Sequence, residues 1–98
     1  MTEVKTAIMT EVKIERIEAE EIVQTMLHNS GFIKPPLKCK VRSYDNSRNA
    51  WVVRVWPRNS KLTAGVVVVD CESGKILEVG DNLPRYAQNR GKEIILPQ

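Results

Sequence analysis

The sequence is poor in the residues that build disulfide frameworks and metal centres: 98 residues carry two cysteines and one histidine. Two thiols cannot form a disulfide scaffold, and with one imidazole they fall short of a four-ligand zinc site. Long apolar runs are absent too. Nothing approaches the roughly 20 residues of a membrane span, and Glu3, Lys5 and Glu11 stand where an export signal would be apolar. These absences predict a cytoplasmic chain with no membrane partner. No glycine-rich phosphate loop occurs, and no His/carboxylate pair has metal-ligand spacing. No metal, cofactor or catalytic residue is therefore expected. His28 is the one general base near neutrality, and in the last turn of a helix it suits the negative end of the dipole. Cys39 falls at an inward strand position, as a small apolar side chain. Cys71 falls in an exposed turn between Asp70 and Glu72, whose charges raise a thiol pKa rather than activate it. The chain does not read as an enzyme.

What is present fits one small globular domain. A 42% apolar and 28% charged composition lies clear of disordered chains, and the length allows a single core. Met1-Thr2-Glu3-Val4-Lys5 returns as Met9-Thr10-Glu11-Val12-Lys13, a short duplication that makes residues 1–10 a loose tail and Met9 an alternative start. Residues 11–98 are then the domain. The net charge of +3 is unevenly spread: residues 34–61 hold eight basic groups against Asp45 alone. Such a segment suits an anionic partner, or keeps an exposed sheet face soluble.

Residues 17–30 predict an amphipathic helix. Glu18, Glu20 and Glu21 crowd its positive end, and Ile22, Val23, Met26 and Leu27 share a face. Gly31 suits the left-handed residue after the helix, with Phe32 folding back on the last turn. Four strands follow. Leu37–Tyr44 alternates apolar with basic residues, Ala50–Trp56 is aromatic and β-branched, Ala64–Val69 holds four consecutive valines, and Lys75–Val79 follows a turn. Their short connections predict an antiparallel meander with the helix across one face, an α+β fold. Val53, Val55, Val67, Val69 and Leu77 join the helix residues as expected core. Near the end, Leu83–Asn89 predicts a helical turn closed by Gly91, and Glu93–Leu96 a short edge strand.

The run Trp51-Val52-Val53-Arg54-Val55-Trp56, followed by Val66-Val67-Val68-Val69-Asp70-Cys71-Glu72-Ser73-Gly74-Lys75-Ile76-Leu77, resembles the PepSY family. There an aromatic-led strand precedes a valine-rich strand that ends in Asp-x-x-(Thr or Ser)-Gly. Ile17-Glu18-Ala19-Glu20-Glu21-Ile22 is similar to the opening of the preceding helix, so the likeness spans residues 17–79. The pattern is also similar to small immunity proteins of nuclear-transport-factor-like fold. Either resemblance implies a helix laid on an antiparallel sheet, of the cystatin/PepSY kind. Both imply a non-catalytic binding or regulatory module, with a peptidase or a toxin as the protein partner.

The candidate site comes from strict alternation. If Leu37, Cys39 and Val41 face the helix, Lys38, Lys40, Arg42 and Tyr44 face away. With Trp51, Val53 and Val55 inward, Val52, Arg54 and Trp56 face outward. The partner-binding set is thus Lys38, Lys40, Arg42, Tyr44, Arg54 and Trp56. Cations beside aromatic rings grip an acidic protein partner or, as the alternative, stack on the bases of a nucleic acid across residues 38–56. A monomer and a homodimer are both compatible with this reading.

Overall fold

The computed structural model describes residues 13–32, 37–57 and 64–97. The expected tail over residues 1–10, the alternative start at Met9, and Lys34, Arg58 and Lys61 of the basic segment lie outside the described residues. The elements run α1 (Arg16–Asn29), β1 (Leu37–Asp45), β2 (Ala50–Pro57), β3 (Gly65–Asp70), β4 (Ile76–Val79) and α2 (Asn82–Gln88). The four strands form one antiparallel sheet in the order β1-β2-β3-β4. Both helices cover the same face, giving the α+β fold that the pattern predicts.

Helix α1 forms because its apolar residues repeat at helical spacing: Ala19, Val23, Met26 and Leu27 are all buried. Ile22 lies at the margin of this stripe and is half-buried. The Glu18 carboxylate accepts from the Glu15 N–H, occupying one donor at the start of the helix. The end closes as expected. Gly31 takes φ +97°, its N–H donates to His28 O, and Phe32 N–H reaches back to Leu27 O at 3.0 Å. That pair of reverse bonds requires a left-handed residue, which glycine adopts without a Cβ penalty. Gly91 closes α2 the same way, with Lys92 N–H on Ala87 O.

The core lies between sheet and helices. Val53, Val55, Val67 and Val69 are buried from the sheet, Leu83 and Ala87 from α2. Gly65 sets how closely α2 approaches, since a Cβ there would stand 2.5 Å from Leu83 Cβ. Phe32 stacks on Tyr86 at 5.9 Å between centroids, joining the ends of the two helices. Buried Ser30 donates to Met26 O and accepts from Ile95 N–H, both at 2.8 Å.

Three expectations need correction. Glu93–Leu96 is not a strand: it runs as an irregular segment held by the Ser30 hydroxyl on Ile95 N–H and by half-buried Ile94 packed against the core. Leu77 is not core but 47% exposed. The β3–β4 register places Val69 opposite Ile76 and Val68 opposite Glu78, leaving Leu77 as the extra residue of a bulge. Cys71 is not exposed but fully buried, where three segments meet: its N–H donates to Asn49 O, and its carbonyl accepts from Lys13 and Ile14 N–H.

Candidate functional site

Strands β1 and β2 pair with Lys38 opposite Trp56, Cys39 opposite Val55, Lys40 opposite Arg54 and Val41 opposite Val53. Directly opposed residues share a face, so Lys38, Lys40, Arg54 and Trp56 stand together on the side away from the helices. Lys38 and Lys40 are exposed, while Arg54 and Trp56 are half-buried. Arg54 lies over the Trp56 ring at 4.7 Å, a cation–π contact that fixes the indole against β2.

The other two members of the expected set do not join them. After Val41 the register jumps to Ser43 opposite Val52, leaving Arg42 as the extra residue of a bulge. Arg42 is exposed but belongs to neither face of the regular ladder. Beyond the bulge the alternation reverses, and Tyr44 pairs with Trp51 on the helix-bearing face. The outward placement of Tyr44 is thus corrected. Its ring meets Trp51 edge-on at 5.5 Å, and its hydroxyl donates to Asn49 Oδ1 at 2.6 Å. Trp51 faces inward as expected: its indole N–H donates to Ile14 O at 2.7 Å and Arg16 lies over its ring.

The outer face is polarised rather than uniformly cationic. Asp45 and Asp70 pair with Ala50, and Glu78 with Val68, so carboxylates gather at the end remote from Lys38. Arg48 ties that end together, bonding Asp45 Oδ2 at 2.8 Å and Glu78 Oε1 at 2.7 Å. The Ser47 hydroxyl and Arg48 hold the Asp45 carboxyl down at about 2. Hydrogen bonds from Ser73 hold Asp70 below the ordinary carboxylate range. Val52 and Val66 are half-buried between the two ends.

A hollow of about 510 Å³ opens beside β1, lined by Gln24, Leu37, Lys38, Cys39, Lys40 and Trp56. The helix provides its polar wall. Gln24 Nε2 donates to Leu37 O, Cys39 Sγ donates to Gln24 Oε1 and Glu20 O, and Glu20 Oε2 accepts from Val41 N–H at 2.8 Å. Burial, then the Glu20 charge, pushes the Cys39 thiol up to about 11, so it is neutral at physiological pH. Burial and Asp70 push Cys71 up as well. His28 is exposed in the last turn of α1. Among the described residues no group of three or more His, Cys, Asp or Glu side chains is placed to hold a metal, and no helix is long and apolar enough to cross a membrane.

Comparison with protein-family models, curated proteins and solved structures gave no match. The geometry therefore stands on its own. Of the residues expected from the sequence, Lys38, Lys40, Arg54 and Trp56 are brought onto one face, and the structure adds Gln24 and Glu20, which the sequence reading did not include. The spacing of Glu20 and Gln24, four apart on α1, places them on one helix face, and that was the available signal.

Proposed function

We propose that the protein is a non-catalytic binding module that presents Lys38, Lys40, Arg54 and Trp56 to a protein partner. The observation that carries this reading is the β1–β2 register, which sets two lysines beside an indole at the mouth of a hollow. Tryptophan and arginine, here Trp56 and Arg54, are enriched among the residues that anchor protein interfaces. Regulation of a peptidase or a toxin is the version supported by the PepSY-like and immunity-like sequence pattern.

Nucleic acid is the less favoured reading. Stacking on successive bases needs several rings on one surface, and Trp51 and Tyr44 face the helices instead. A polyanion running along β1 and β2 would also meet Asp45 and Glu78 within one strand length.

Capture of proteins from the native host separates the two. A partner lost with Trp56→Ala, yet retained after nuclease treatment and at raised salt, supports the protein reading. Capture abolished by nuclease, with affinity falling steeply in salt, would replace it with the nucleic-acid reading.

A further inference from the structure

The hollow beside β1 carries more information than its cations alone. Among the described residues its lining includes Lys38 and Lys40, and the nearest carboxylate, Glu20, is bonded to the Val41 N–H behind Cys39. Its other polar groups are already engaged, with the Gln24 amide bonded to Leu37 O and Cys39 Sγ. Leu37, only 3% exposed, and the Trp56 ring supply the apolar part of the lining. The volume lies inside the range of about 300–1,000 Å³ that small ligands and anchoring side chains occupy. An occupant must therefore offer negative charge to Lys38 and Lys40 and apolar surface to Leu37 and Trp56.

We propose that this hollow takes a short acidic segment of a partner protein, with carboxylates at alternate positions and an apolar side chain beside them. The proposal rests on the protein-binding reading above and names the chemistry of the partner. Lys38 and Lys40 lie two residues apart on one strand face, a separation of roughly 7 Å that alternate residues of an extended segment reproduce. Charge complementarity sets the orientation and the apolar contact supplies the anchor. The segment is short because the cationic end gives way to Asp45, Asp70 and Glu78 along the same face. The Glu20 carboxylate accepts from the Val41 N–H, which offsets part of its charge beside the hollow.

The test titrates the full chain, isotopically labelled, with four probes followed by amide and indole NMR. One is a ten-residue peptide with glutamates at alternate positions beside leucines. The second replaces its glutamates by lysines, the third its leucines by alanines, and the fourth is a ten-nucleotide oligothymidylate. The first peptide is expected to shift the Lys38, Lys40 and Trp56 signals to saturation. The second and third are expected to bind at least 10-fold more weakly, and K38E/K40E to reduce the first by a similar factor while keeping a native spectrum. Random-peptide display on the protein provides the other arm. Enriched peptides that lack carboxylates yet shift Trp56 would overturn this proposal and leave the protein-binding reading standing. Shifts from the oligothymidylate alone, or enriched peptides that move other signals, would overturn both.

Discussion

Tyr44 and Trp51 stand opposite each other on the helix-bearing face, their rings 5.5 Å apart, because one extra residue at Arg42 turns the end of β1 over. The pair locks that end of the sheet to the segment preceding α1, through the indole bond to Ile14 O. Replacing Trp51 by phenylalanine keeps the ring contact and leaves the half-buried Ile14 carbonyl unpaired. Urea unfolding should show a loss of about 1–3 kcal/mol. Tyr44→Phe should cost about 1 kcal/mol through its bond to Asn49 and leave partner binding unchanged.

Much of this architecture was legible beforehand, because apolar alternation and helical spacing are local properties of the chain. The bulges were not, since one additional residue changes the facing of everything beyond it. Clues were present nonetheless. Strict alternation past Val41 would turn Ser43 toward the core and Tyr44 toward water, the poorer assignment for a serine and an aromatic ring. Ile76 and Val79, three apart and both packed on the core, likewise require one residue out of step. The burial of Cys71 had no local sign, because segments distant in sequence meet there. Of the site, the two lysines and Trp56 were readable from one strand pair, whereas Glu20 and Gln24 depended on where the helix crosses it.

Gly65→Ala should destabilise the fold by about 1–3 kcal/mol, because the new methyl group would collide with Leu83. Leu83→Ala, which empties a buried site, should cost about 2–5 kcal/mol. Thermal or urea denaturation measures both, and Ile95→Ala, at an exposed position, provides a control expected to change little.

Asp45 predicts an acid-side dependence. Its folded value of about 2 lies below the ordinary 3.8, so the stability it contributes is complete above roughly pH 4 and is lost as pH falls toward 2. Asp45→Asn should flatten the urea midpoint between these limits. A residual slope should persist from Asp70, which is shifted in the same direction.

Both thiols should resist modification in the folded protein. With Cys39 held near 11, its thiolate fraction at neutral pH falls roughly 100-fold below that of an ordinary cysteine. Cys71 has no exposed surface. A chromogenic disulfide reagent should react with neither at neutral pH, and with both once the chain is unfolded in guanidinium.

Glu20→Ala removes the acceptor for the Val41 N–H at the β1 bulge. Hydrogen exchange should accelerate at the Val41 amide more than at Val53 or Val67, with a global loss of about 1–3 kcal/mol.

The same helix side chains govern how molecules of this protein can join through their strands. Glu20 and Gln24 engage the Val41 N–H and the Leu37 carbonyl, so an incoming strand finds two groups of the β1 rim already bonded, while four-residue β4 forms the opposite rim. Pairing of a second copy along β1 would first have to displace these two helix-to-strand hydrogen bonds, a penalty on edge-to-edge association at that side of the sheet.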